Sequence, residues 1–250
     1  MGRKILIFGN FPFNERNEFI DTNHFATYFA RRGDEVDFVT PPAYVADFFL
    51  PFFDKRLRVL RNFFKSSVTV EDNLYQHTIL SFLPVRNNFF LGSNINMSLF
   101  SAGFRVSHIS KKEYDICITS QGFMLLWTQY VKSGIFIYRY NDILDGFSSN
   151  PSALNLCENN FIRQKAPLVL AVNKRLAQYL SDKYPDYTKI EILPNGVDTE
   201  LFENAEPDAE IMKIHKKKMV FCGGIDFWVD TGLLYETARQ LSDSVLIPVS

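Results

Sequence analysis

Cysteine is scarce in this chain, and the scarcity excludes two architectures. Cys117, Cys157 and Cys222 are the three present; they stand far apart, with no Cys-x-x-Cys pair and no histidine at ligand spacing, so neither a disulfide framework nor a structural zinc site is expected. A reducing, cytoplasmic compartment is the matching expectation. Charge of one sign is also missing. The 27 basic and 28 acidic side chains leave a net charge of −1, which gives no field to draw the chain to nucleic acid. No apolar run reaches the length that spans a bilayer, and the run at residues 5–8 is too short to read as a signal peptide. The first loop, Gly9-Asn10-Phe11-Pro12, lacks the G-x-G-x-x-G of a dinucleotide fold, which argues against a nicotinamide or flavin site. No metal or prosthetic cofactor is expected, and His77, His108 and His215 have no partner at triad or metal spacing. Phenylalanine, by contrast, is in excess: 25 residues in a chain that is 15% aromatic and 46% hydrophobic. A sizeable core is within reach.

Residues 168–198 organise the rest. The run 168–172 is five apolar residues without alternation, which is how a strand buried on both faces reads. Asn173 supplies an N-cap, and Leu176, Ala177 and Leu180 share one face of the helix that follows. Pro185 ends it. Residues 189–193 form a second strand, completing a βαβ unit whose crossover puts the next turn, Pro194-Asn195-Gly196-Val197-Asp198, at the carboxyl edge of a parallel sheet. Asn195-Gly196 is expected to take positive φ and turn backbone N–H groups into the crevice where α/β sheets bind ligands. A plain tight turn is the competing reading.

The remaining chain repeats the theme. Residues 4–8 read as a buried strand, about 22–32 as a helix with Gly33 at its C′ position, and 36–39 as a second strand stopped by Pro41-Pro42. Residues 74–83 alternate loosely as one strand, and Ile95, Leu99, Ala102, Val106 and Ile109 follow helical spacing. Strands at 115–119 and 135–138 and a helix at 152–165 complete an open, doubly wound α/β sheet. Residues 205–218 are charged and irregular and read as a linker, and 219–250 form one further βαβ unit, too small to fold alone. Asp142 and Asp145 follow a strand at the crevice edge, where a carboxylate suits a general base and Arg139 stands near enough to tune it; an Asx-type turn cap is the competing reading.

The string LVLAVNKRLAQYL followed by IEILPNGVDTELF resembles the strand, Ser or Asn, helix, strand, Pro-Asn-Gly-Val-Asp, Phe segment of glycosyltransferase family 4, nucleotide-sugar enzymes with two facing Rossmann-like domains (the GT-B fold). NHFATYFARRGDEVDFVTPP is similar to the opening of the same family, particularly a bacterial polysaccharide-assembly subset. The resemblance implies an N-terminal acceptor-side domain over 1–204 and the first unit of a donor domain over 219–250. It implies transfer of a sugar from a nucleotide sugar to a glycan or lipid-linked acceptor in surface-polysaccharide assembly. Asp142 is then the residue expected at the reacting hydroxyl, with Gly9, Asn10, His24, Ser120, Gln121, Arg139, Asp145, Asn195 and Gly196 around the acceptor. Gly223, Gly224, Asp226 and Trp228 are expected on the donor, in a loop that lacks the family's usual Arg and Lys. The family's further donor contacts are not in this sequence, so the chain is expected to transfer little unless another completes it.

One segment fits none of this. If residues 51–65 are helical, Phe53, Leu57, Leu60 and Phe64 form a stripe opposite Arg58, Arg61 and Lys65, the pattern of an interfacial membrane helix and equally of a helix packed on a sheet. Peripheral contact with the inner face of a membrane is the functional expectation. Two rival functions stay open: an oxidoreductase or epimerase on a similar sheet, disfavoured by the missing glycine fingerprint, and a non-catalytic glycan-, lipid- or partner-binding module.

Overall fold

The computed structural model describes residues 2–13, 21–45, 67–82, 93–120, 122–143, 151–197, 199, 203–225, 229–241 and 243–249. The chain forms two units, Met1–Gly196 and Val197–Ser250. The first ends at the Asn195-Gly196 turn, earlier than the boundary expected at 204.

The first unit begins with β1 (Lys4–Phe8), whose residues Ile5 to Phe8 are all fully buried because both faces of the strand are covered. Ile5 and Ile7 face one core with Ala26 and Ala30 of α1 (Asp21–Arg31), while Leu6 and Phe8 face the other. Helix α1 closes in a Schellman motif. Gly33, at φ 85°, donates its N–H to the Ala30 carbonyl at 2.9 Å, and Asp34 donates to that of Phe29 at 3.1 Å. Strands β2 (Glu35–Val39), β3 (Ala43–Tyr44), β4 (Val68–Glu71), β5 (Leu74–His77) and β6 (Leu80–Ser81) follow. Then come α2 (Ser93–Val106), β7 (Glu113–Ser120), a 3-10 helix over Phe123–Tyr130, β8 (Lys132–Tyr140), α3 (Pro151–Lys165), β9 (Leu168–Ala171), α4 (Lys174–Lys183) and β10 (Ile190–Ile192).

The main sheet runs β10-β9-β8-β7-β1-β2-β5-β4, parallel except for β4, which pairs antiparallel with β5 at one edge. This is a Rossmann-like α/β fold. Right-handed crossovers explain the layers: β1 to β2 moves one way with α1 on one face, and β7 to β10 moves the other way with α3 and α4 on the opposite face. The strand order therefore reverses between β1 and β7. The organising segment folds as its residues dictate. Asn173 Oδ1 accepts the Leu176 N–H at 2.9 Å, Leu176 and Leu180 are buried, and Ile190 pairs in parallel with Val169.

Two expectations need correction. The single strand over 74–83 is two: β5 stays in the main sheet, whereas β6 pairs with β3 in a separate ribbon. Thr40 Oγ1 lies 3.0 Å from Thr78 Oγ1 and donates to the His77 carbonyl at 3.3 Å, which ties the crossing point after β2 to the break between β5 and β6. The linker over 205–218 is partly ordered, because Asp208 caps the short helix α5 (Ala209–Met212) by accepting the N–H groups of Glu210 and Ile211 at 2.8 and 3.0 Å. The next strand, β11 (Lys217–Cys222), begins inside that stretch. The segment 51–65, with its expected membrane stripe, lies outside the described residues.

The second unit is one βαβ: β11 pairs in parallel with β12 (Ser244–Val249), joined by α6 (Thr231–Gln240), none of whose residues is buried. Among the described residues no helix is long and apolar enough to cross a membrane.

Candidate functional site

Ligands of open α/β sheets lie outside the carboxyl ends of the strands, where the strand order reverses. Here that point is flanked by the ends of β1 and β7. Ser120 Oγ donates to Asn10 Oδ1 at 2.9 Å and closes the gap between the two strand ends. Gly9 is buried beside them, and a Cβ there would stand 1.9 Å from Phe38 Cζ. Glycine is needed at this position for packing.

One strand further, in register with Ser120, stands Arg139, whose side chain is 1% exposed. A buried guanidinium requires partners on every side. Arg139 Nε donates to Asp21 Oδ2 at 2.8 Å, Nη2 donates to Asn195 Oδ1 at 2.6 Å, and Nη1 donates to the Leu193 carbonyl. Asn141 Nδ2 donates to the same Asp21 oxygen at 3.1 Å, and the Phe25 ring lies 5.9 Å from the guanidinium carbon. Arg139 thus joins the end of β8, the first turn of α1 and the turn after β10. The expectation for Asn195-Gly196 was of the wrong kind: neither residue has positive φ. A Cβ at Gly196 would meet no described atom, and the turn reaches Arg139 through the Asn195 side chain.

The other expected residues are dispersed. Asp142 is exposed just beyond β8. His24 is also exposed and lines a surface depression with Thr27, Tyr28, Arg31 and Arg32, apart from the strand ends. Helical spacing turns it away from the buried stripe of Asn23, Ala26 and Ala30. Gln121, Asp145, Asp226 and Trp228 lie outside the described residues. Gly223 (φ 146°) and Gly224 follow β11 as a turn in the second unit. The helix after them, α6, is capped by Asp230, whose Oδ1 accepts the Leu233 N–H at 2.9 Å.

Residue spacing had left His77 and His108 without partners. The structure buries His77 against Asp37, with Nε2 2.7 Å from Oδ1, and stands the His108 ring edge-on to it at 5.1 Å. Asp37 Oδ2 also accepts Lys112 Nζ at 2.7 Å and the Tyr114 hydroxyl at 2.9 Å. The signal was Asp37 itself, an acid set between the apolar residues Val36 and Phe38 of β2. Burial alone would raise its pKa, but hydrogen bonds from His77 and Lys112 outweigh burial and hold the carboxyl at about 2. A depressed carboxyl contributes stability that is present above the ordinary value of 3.8 and lost as pH falls toward about 2. On the order of 2 kcal/mol is expected to disappear over that window. Acid unfolding followed by circular dichroism should show it, and Asp37→Asn should lack that part of the transition.

Among the described residues no group of three or more His, Cys, Asp and Glu side chains is arranged to hold a metal ion. Comparison with known protein families finds no family model that matches the chain, and comparison with curated proteins finds no significant match.

Proposed function

We propose that the first unit is the acceptor-side domain of a GT-B glycosyltransferase that moves a sugar from a nucleotide sugar to a glycan or lipid-linked acceptor. The second unit opens the donor domain in this reading. The observation that carries it is the convergence at one switch point of Asn10, Ser120 and the Arg139 cluster, polar groups from four strand ends and a helix turn. The string IEILPNGVDTELF that resembles family 4 supplies two of the partners of Arg139, the Leu193 carbonyl and Asn195 Oδ1. A buried cation braced by an acid and an amide is the rigid support that a site for oriented hydroxyl groups requires.

Asp142, exposed and next in sequence to Asn141, is the residue we assign to the reacting hydroxyl. In extracts of cells that make the protein, transfer from nucleotide sugars is expected to fall by roughly 10²-fold with Asp142→Asn if it acts as a general base. Circular dichroism of the purified variant should be unchanged. Transfer at the unaltered rate would return Asp142 to the role of a turn cap, and the absence of any transfer dependent on the chain would remove the transferase reading.

A further inference from the structure

The Asp37 cluster leaves one ring nitrogen unused. Asp37 Oδ1 takes His77 Nε2 at 2.7 Å, and Oδ2 takes Lys112 Nζ at 2.7 Å and the Tyr114 hydroxyl at 2.9 Å, so both oxygens are engaged. The carboxylate is ionised, which gives Nε2 the ring hydrogen and leaves Nδ1 a bare lone pair. That Nδ1 is buried without a hydrogen-bond partner, in a residue 3% exposed. The His108 ring stands 5.1 Å from the His77 ring, centroid to centroid, with 68° between the two planes. His108 is exposed, and its side chain makes no capping hydrogen bond where the 3-10 turn Ile109–Lys111 begins.

We propose that His77 and His108 bind a divalent ion of the late first transition row, zinc, copper or nickel, through one nitrogen of each ring, with water completing the coordination. Metal-bound imidazoles donate their other ring N–H to a carboxylate, which fixes the ring and raises its basicity, and the Asp37–His77 pair is that arrangement. With metal–nitrogen bonds of about 2.0–2.1 Å at a tetrahedral ion, the centroids of two ligating imidazoles lie roughly 5 Å apart. The observed spacing matches. Imidazole nitrogen also selects these ions over magnesium and calcium, which take oxygen ligands. Lys112 does not oppose a cation here, because its ammonium is shared between Asp37 and Glu35, the latter at 3.6 Å, and these three groups together carry net negative charge. The exposed His108 gives access from solvent. Two side chains are fewer than the three or four of a catalytic or structural zinc site, so the ion is held reversibly and keeps open positions. None of these residues belongs to the Arg139 cluster, and the inference stands apart from the transferase reading.

The test is isothermal titration calorimetry of the whole chain with Zn²⁺, Cu²⁺ and Mg²⁺. Zinc and copper are expected to bind, copper the more tightly, and magnesium is not. His108→Ala should weaken both by at least about tenfold, the lower end of what loss of an outer-shell partner alone costs. The same variant should keep its circular dichroism spectrum and melting temperature, because the ring is exposed and caps nothing. That pairing of lost binding with retained stability separates a ligand from a structural residue. The chain has four histidines, and His24→Ala and His215→Ala, which alter the other two, should leave the affinities unchanged. The electron paramagnetic resonance spectrum of the copper form should show coupling to imidazole nitrogen, diminished in His108→Ala. No binding of zinc or copper, equal affinity for magnesium, undiminished affinity in His108→Ala, or a loss that follows His24 or His215 instead leaves Nδ1 to ordered water and overturns the inference.

Discussion

Replacing Arg139 by methionine is expected to destabilise the first unit by about 3–5 kcal/mol, the cost of breaking a buried ion pair by removing one partner. Methionine fills much of the same volume, so the loss is electrostatic. Asp21, whose side chain is 15% exposed, would keep the Asn141 amide and lose its cation. The Leu193 carbonyl and Asn195 Oδ1 would lose their donors in the same step, which frees the turn after β10. Lysine is no remedy, because one ammonium does not reproduce three donors fixed in a plane. The urea midpoint of the single variant should fall sharply. A double variant, Arg139→Met with Asp21→Leu, should recover most of the difference, since replacing a buried pair by apolar groups is often neutral. A single-variant loss below about 1 kcal/mol would place the pair among weak, solvent-screened ones.

Arg139 also marks where reading from sequence stops. The βαβ unit of β9, α4 and β10 was legible because its signals are local: an apolar run, an Asn cap, a proline stop. Asn10 and Ser120 were legible as strand-end residues, since parallel strands deliver their carboxyl ends to one edge. Asp21 was not, for it meets Arg139 across 118 residues and nothing in its own neighbourhood distinguishes it from an ordinary acid in a first helical turn. The Asn195-Gly196 turn was read for its backbone, and its contribution comes from a side chain that only a distant cation could reveal. The two-strand ribbon of β3 and β6 escaped because Thr78 and Ile79, where the chain changes sheets, include neither glycine nor proline to mark the break. For His77 and His108 the sequence distance hid a partner, Asp37, that strand pairing brings into reach. Local order follows from local residues here, and the site depends on contacts between remote ones.

The second large effect is expected at Trp127. The excess of phenylalanine has its structural answer around this residue: the Phe104 ring stacks on it at 4.9 Å and 7°, Phe100 stacks at 5.3 Å and 22°, and Phe8 leans against it at 6.0 Å. Phe8 also meets Phe104 at 5.6 Å. Four rings thus join the end of β1, α2 and the 3-10 helix in one core, and all four are buried. Trp127→Ala removes the largest of them from a site with no exposed edge to collapse into, so a loss of about 3–5 kcal/mol is expected in urea denaturation followed by circular dichroism. Trp127→Phe should cost clearly less. It keeps a stacking ring and also deletes an indole N–H that is buried without a partner. A loss under about 1 kcal/mol for the alanine variant would mean that the core relaxes around the gap. Because Phe8 leads directly into Gly9 and Asn10, the alanine variant should also loosen the Asn10–Ser120 contact. Faster hydrogen exchange at the Gly9 amide, which donates to the Val39 carbonyl at 2.9 Å, would report it.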